Sequence, residues 1–480
     1  MQLTEAMKIE NTTTENGMAT NTTSLNYCVD LFFRGGAMRN APEEDIVRLV
    51  AKSFAEDPER TLKILFWARD IRGGAGERRF FRVAFKSLAT LLPSVMETYL
   101  HLIPKYGRWD DLIHLEGTSL EKQVLAVISK ALDDTDSLCA KWMPRKGSFA
   151  NKLRKFRKQT PKEYRKMLVN LTKVIETRMC KGEWNQICYS HVPSLAMSRY
   201  GNAFNKKDHK RFQEYKESLQ KEDPTVKINT GAVYPYDVIK GLKNNNEVAE
   251  SQWDALPNYM ENNNERVLPL VDVSGSMGTS CGGNLTCMDV ALSLGLYISE
   301  RNVGAFHNHF LTFSAEPELQ HLVGSLSERL NQLQRADWGM NTDLVKAFKR
   351  ILDQARKHNV KPEEMPTQLL ILSDMEFDES QGKRGWGHFN HGEYEWNETA
   401  QQMIEREYVQ AGYEVPKIVY WNIQSRNENV PVRFDKNGTA LVSGFSPSIL
   451  TALLDGQDMD PVTIMDKVIF NERYDAIEYV

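Results

Sequence analysis

Apolar positions recur at helical spacing through the first half of the chain. Ile46, Val47, Val50 and Phe54 make one such stripe, and Phe80, Phe81, Ala84 and Leu88 another. Leu125, Ile128 and Leu132 follow, then Met167, Leu168, Leu171, Val174 and Ile175. Residues three and four apart share one face of a helix, so these spacings predict amphipathic helices. Pro42, Pro58, Pro104 and Pro161 stand where helices start or stop. No run here alternates with period two, and no strict repeat length emerges. The pattern predicts an N-terminal all-α helical-repeat (HEAT-like) module over 25–245. Residues 1–24, Thr/Asn-rich and aperiodic, read as a flexible N-terminal segment.

The pattern changes after an Asn-rich polar stretch, 246–264, which reads as a linker. Val267 to Val273 is a short apolar run ending in Ser-Gly-Ser, as a buried parallel strand would. His309–Phe313, Gln368–Leu372 and Lys417–Ile423 are further strand candidates. Between them lie an apolar helix over 288–298 and an amphipathic one marked by Leu344, Val345, Phe348, Ile351, Leu352 and Ala355. Strands alternating with helices predict a doubly wound α/β domain over 265–455, followed by a tail, 456–480. Ligands of such sheets bind outside the carboxyl ends of the strands.

Three segments are predicted to meet at that edge. Asp272-Val273-Ser274-Gly275-Ser276 ends the first strand, Asn341-Thr342-Asp343 opens the amphipathic helix, and Ser373-Asp374 ends another strand. Asp272, Ser274, Ser276, Thr342 and Asp374 together offer only hard oxygen donors, a set suited to Mg²⁺ or Mn²⁺. With hydroxyls bound directly and carboxylates largely through water, the ion keeps positive charge and seeks an external acidic ligand. Taken singly, the serines are also ordinary turn residues, and Thr342 or Asp343 an ordinary helix cap. A catalytic reading finds little to work with. A phosphoryl-transfer site would want a second Asp where Ser274 stands, and a two-metal nuclease would want more carboxylates. The expectation is a protein that is not an enzyme.

At 480 residues, with 41 % apolar residues and a net charge of −4, the chain is of multidomain globular size and composition. No apolar stretch reaches the length of a membrane span, and no signal peptide or anchor is read, which sets no membrane association and a cytoplasmic location as expectations. Six cysteines are too sparse for a disulfide framework. The small net charge hides a window, 141–170, in which eleven cations meet one acid, Glu163. Lys146, Lys152, Arg154, Lys155, Arg157, Lys158, Arg165 and Lys166 are its RNA-binding candidates, interleaved with Phe149 and Phe156. Such a run is either a solvated face or an electrostatic footprint for phosphates.

DVSGSM, GMNTDL and LSDME resemble the metal-ion-dependent adhesion site (MIDAS) of the von Willebrand factor A domain. Ser274, Ser276 and Thr342 match its direct hydroxyl ligands, and Asp272 and Asp374 its carboxylates. The first half, through SLNYCVDLFFRGGAMRN, DPERTLKILFWARDIRGGAGERRFFRVAF and IPKYGRWDDLIHL, resembles the TROVE module that precedes an A domain in the Ro autoantigen family. WMPRK, YRKML, W-x-x-I-x-Y-x-x-VPS and AGYEVPKIVYWNI resemble more closely an uncharacterised family of unknown function with the same layout. The Ro likeness implies a ribonucleoprotein scaffold for structured or misfolded small RNA. The adhesion-site likeness implies a protein partner that donates an acidic residue to the metal. A metal-dependent protein–protein adaptor without RNA is the alternative.

Overall fold

The computed structural model describes the chain except residues 1–10, 222, 224, 243–245, 262–264, 283, 314–316, 336–343, 378–399, 426, 455–458 and 480. The chain divides into two compact units. One holds Leu65–Pro257 with the C-terminal residues from Arg473. The other holds Asn258–Glu472 with the described residues up to Ile64.

The helical unit is built from short helices whose apolar faces meet. They include α1 (Arg78–Leu91), α2 (Ser137–Trp142), α3 (Ser148–Phe156) and α4 (Pro161–Leu171). Every apolar residue of the predicted Phe80 stripe is buried, and Phe66 packs against Phe81 and Tyr106 at centroid distances of 5.5 and 5.4 Å. A second aromatic core gathers Tyr189, Phe204, Phe212 and Tyr215. Asp70, fully buried, accepts bonds from the guanidinium of Arg473 and, at 3.1 Å, from the Tyr474 hydroxyl. The predicted linker is not irregular. Its first half is α5 (Asn246–Asp254), in which Val248, Ala249 and Trp253 are buried and Gln252 donates to the Ser194 carbonyl at 3.0 Å. Its many Asn and Glu residues masked a helix whose apolar face is only three or four residues wide.

In the other unit, β1 (Asn11–Thr13) and β2 (Ala19–Asn21) form an antiparallel hairpin. The main sheet has six strands: β3 (Val267–Asp272), β4 (His309–Phe313), β5 (Glu318–His321), β6 (Gln368–Ser373), β7 (Lys417–Asn422) and β8 (Thr439–Ser443). Their spatial order is β8-β7-β6-β3-β4-β5, parallel throughout except for the antiparallel edge strand β5. Counted along the chain this is the 3-2-1-4-5-6 order of a doubly wound fold, with its switch point between β3 and β6. Both strands are buried at every residue, which is why they read as continuous apolar runs. α6 (Cys287–Arg301) packs on β3, with Gly295 placed where a Cβ would come within 2.6 Å of Val271. Two strands of this sheet went unread. β5 (ELQH) is polar and exposed, whereas β8 (TALVS) is a glycine-bounded apolar run that carried a usable signal. Among the described residues no helix is long and apolar enough to cross a membrane.

Three boundary expectations are corrected. Residues 11–24 are not a flexible lead-in: Thr14, Met18, Thr20 and Ser24 are buried, and Asn21 bonds Val430 through its backbone N–H at 3.1 Å. The tail contains α7 (Pro461–Ile469), whose Ile464, Met465 and Ile469 are buried and which packs on β8. The helix Tyr27–Gly35, expected in the helical module, also packs on β8. There the Gly36 N–H donates to Ser443 Oγ at 3.0 Å, and that hydroxyl donates to the Phe32 carbonyl at 2.7 Å. β8 is an edge strand, and a sheet edge left uncovered is a template for unwanted pairing. A Cβ on Gly36 would lie 2.7 Å from Ser443 Oγ and 2.8 Å from its carbonyl carbon. Gly36→Ala should therefore lower stability by about 1–3 kcal/mol through overpacking, read as a lower urea midpoint at unchanged m-value.

Candidate metal centre and cationic surface

β3 and β6 lie side by side, Val271 opposite Leu372, so both deliver their last residues to one edge at the switch point. Asp272 closes β3 and is fully buried. One of its oxygens accepts the Ser274 N–H at 2.9 Å and the other the Ser373 hydroxyl at 2.6 Å. The turn Gly275–Gly278 then brings Ser276 Oγ to 2.9 Å from Ser274 Oγ. After β6, Asp374 is buried at 2 % exposure, and the backbone turns at Met375 with φ of 66°. A bulky residue occupies that left-handed region only where its surroundings demand it. Here the Met375 N–H donates to Ser373 Oγ at 3.0 Å, the same hydroxyl that bonds Asp272.

The loop after Asp374 is held from the N-terminal hairpin. Glu376, 1 % exposed, accepts the Glu15 N–H at 2.8 Å and the side-chain amides of Asn427 and Asn429 at 3.1 and 2.9 Å. Thr14 Oγ1 donates to the Phe377 carbonyl, and Asn16 Nδ2 to that of Glu376 at 2.7 Å. Ser373 and Glu376 flank Asp374 in the LSDME segment; Ser373 was named from the sequence only as part of a strand end, and Glu376 was given no role. Their hydrogen-bonding residue types next to a candidate ligand were the only signal.

Burial, and after it the charge of Asp374, pushes the Asp272 carboxyl up to about 7, against the hydrogen bonds from Ser373 and Ser274. Burial also raises Glu376, whose carboxyl is further raised by Asp374. Asp272, Ser274, Ser276 and Asp374 are thus brought to one edge, while Thr342 lies outside the described residues. The donors fit a hard cation. Octahedral Mg²⁺ takes oxygens at about 2.0–2.1 Å, which sets neighbouring ligands about 2.9 Å apart, and the two serine hydroxyls, hydrogen-bonded to each other, stand at a compatible 2.9 Å. Bound there, a cation would neutralise the two acids and offer an open, electrophilic position.

The cationic window is more heterogeneous. Lys152 is paired with Glu116 and Glu121 at 3.0 and 2.8 Å. Arg157 donates to the carbonyl and hydroxyl of Ser129 and to Asp133 at 2.6–2.7 Å, leaving its side chain 10 % exposed. Arg154 leans on Asn151 at 3.0 Å and Arg165 on the Pro161 carbonyl at 3.1 Å. Lys146, Lys155, Lys158 and Lys166 are exposed and make no ion pair among the described residues. Phe149 is core, whereas Phe156 is 39 % exposed beside Lys155.

These features define a class: a two-unit protein with a partly cationic helical unit and a doubly wound unit that carries an oxygen-lined site at its switch point. The family model described as "Domain of unknown function (DUF2828)" matches residues 14–125 and 123–265, more than half of the chain. The chain belongs to that family. A second model, "Domain of unknown function (DUF7788)", matches 266–475. Among relatives, "Uncharacterized protein L728" of Acanthamoeba polyphaga mimivirus is 28 % identical over 529 aligned positions, covering 95 % of this chain and 86 % of the relative. Among solved structures, "Crystal structure of Deinococcus radiodurans RO (RSR) protein" is similar over 90 % of this chain and 92 % of that one, at 13 % identity and a TM-score of 0.39.

The Asp272 shift has a consequence for stability. An acid whose pKa rises on folding, here from about 3.9 in the unfolded chain, binds its proton more tightly when folded. Its contribution is complete below the unfolded value and lost as pH climbs through about 7. The metal-free protein should melt at a lower temperature at pH 8 than at pH 5.5, and Asp272→Asn should flatten that slope in differential scanning fluorimetry with chelator present. An equally steep slope in the variant would assign the effect elsewhere.

Proposed function

We propose that the protein is a non-enzymatic, cytoplasmic binding scaffold whose sheet unit is a von Willebrand A-like domain with a divalent-cation adhesion site. The observation that carries this reading is the pair of serine hydroxyls 2.9 Å apart beside the buried Asp272, with Asp374 ending the neighbouring strand at the switch point. Mg²⁺ or Mn²⁺ would be held by Ser274 and Ser276, with Thr342 by motif and Asp272 and Asp374 as outer carboxylates. The ion would supply a Lewis-acidic position for an acidic residue of a protein partner. Both oxygens of Asp272 already accept hydrogen bonds, which suits a group that orients and neutralises rather than one that attacks. Calorimetry with Mg²⁺ should show at least tenfold weaker binding for Ser276→Ala. Unchanged affinity would overturn the site.

The helical unit in this proposal grips structured or misfolded small RNA through phosphate contacts and base stacking. Lys146, Lys155, Lys158 and Lys166, with the exposed Phe156 among them, support it. Lys152 and Arg157, drawn into intramolecular ion pairs, favour instead the adaptor without RNA. Filter binding against a structured RNA separates the two. In an RNA scaffold, reversing the four exposed lysines to Glu should weaken binding more than tenfold and flatten its salt dependence. No retention at low salt selects the adaptor.

A further inference from the structure

On the helical unit, Arg78, Arg82 and Lys86 stand four residues apart along α1 and so share one face. They look onto the short helical segment Trp109–Leu115 and the Arg108 before it. Asp111, fully buried, accepts Arg69 Nε at 2.7 Å on one oxygen and Arg82 Nε at 2.6 Å on the other. Asp110 accepts Arg82 Nη2 at 3.0 Å and Arg108 through both Nε and Nη2, at 2.9 and 2.6 Å. The Arg108 guanidinium also lies 3.8 Å above the Trp142 ring. Five cations therefore gather here, and among the described residues Asp110 and Asp111 are the carboxylates seen to bind them.

The two carboxylates do not exhaust the donors. Arg82 and Arg108 each commit Nε and Nη2, so each keeps Nη1 without a partner among the described residues. Arg78 makes no ion pair among them. Although Arg78 is exposed, partial desolvation, and then the charges of Arg108, Arg69 and Arg82, press its guanidinium below its ordinary value, with Asp110 acting the other way more weakly. His114 is pushed down by burial and by Arg82, which makes it a weaker base than an ordinary histidine. Guanidiniums fixed by carboxylates and a ring are pre-organised forks, the geometry that matches phosphate oxygens.

We infer that Arg78, Arg82 and Arg108 form a site for one phosphate group, with Lys86 at its rim. The site goes beyond the RNA reading and does not require it, because the phosphate can come from an RNA backbone or from a free phosphate ester. Trp142, which closes α2, lies three residues before Arg145, where the cationic window resumes.

The test uses the full chain and two probes, inorganic phosphate and a short single-stranded oligouridylate. At ionic strength matched with chloride, phosphate should raise the melting temperature of the wild-type protein. Arg78→Ala should weaken phosphate binding at least tenfold, Arg78→Lys should keep part of it, and Lys181→Glu, at an exposed position outside the cluster, should leave it unchanged. Arg108→Gln serves as the second variant if circular dichroism finds Arg78→Ala unfolded. If Arg78→Ala also lowers the salt slope of oligouridylate binding by about one, the phosphate belongs to an RNA backbone. Oligouridylate binding that is absent or unaffected, with phosphate binding lost, leaves the site standing for a free phosphate ester. Phosphate that fails to bind the wild type, or binds Arg78→Ala equally well, overturns the inference.

Discussion

Two carboxylates buried at the ends of adjacent parallel strands are the constraint to which the sheet unit answers. Removing an acid from water is costly unless the charge is neutralised or well hydrogen-bonded, and a second acid nearby adds repulsion. The surrounding residues divide that burden. Ser274 and Ser373 hold the two oxygens of Asp272, Met375 accepts an unfavourable backbone angle to keep Ser373 in place, and Asp374 raises its neighbours. The result is a buried pair of acids at one edge of the sheet, with Asp272 held by hydrogen bonds from both strand ends.

The N-terminal segment belongs to this problem. Its hairpin fastens the Glu376 loop through main-chain and amide hydrogen bonds, and the helix after it covers the β8 edge with a glycine-tight contact. The opposite edge, β5, is managed differently, with the polar Glu318, Gln320 and His321 facing water. One stretch of chain thus supports both the shape of the sheet and the loop that carries Asp374.

In the helical unit the governing quantity is which cations remain available once internal acids have claimed theirs. Lys152 and Arg157 are claimed, and four exposed lysines nearby are not. On α1 the balance runs the other way, because Asp110 and Asp111 bind arginines without neutralising the group. Charge density along a sequence is therefore a poor guide to the field a ligand meets.

The strands β3 and β6 were legible in the sequence because strands buried on both faces read as apolar runs, and β4 and β7 because short apolar-rich stretches punctuate the helices. That Asp272, Ser274, Ser276 and Asp374 share one edge was legible because the strand pattern puts the ends of β3 and β6 side by side. The helix stripes around Phe80 and Leu125 were legible through their 3.6-residue period. What lay beyond it depends on partners far away in the chain. The hairpin of residues 11–21 is ordered by contacts some 360 to 410 positions distant, and α5 hides its apolar face among Asn and Glu. Whether Arg157 faces solvent or Asp133, and whether Arg78 meets acids or other arginines, was decided only by the tertiary structure. Period and composition report what one segment needs to bury, whereas pairing between charges is a property of two segments at once.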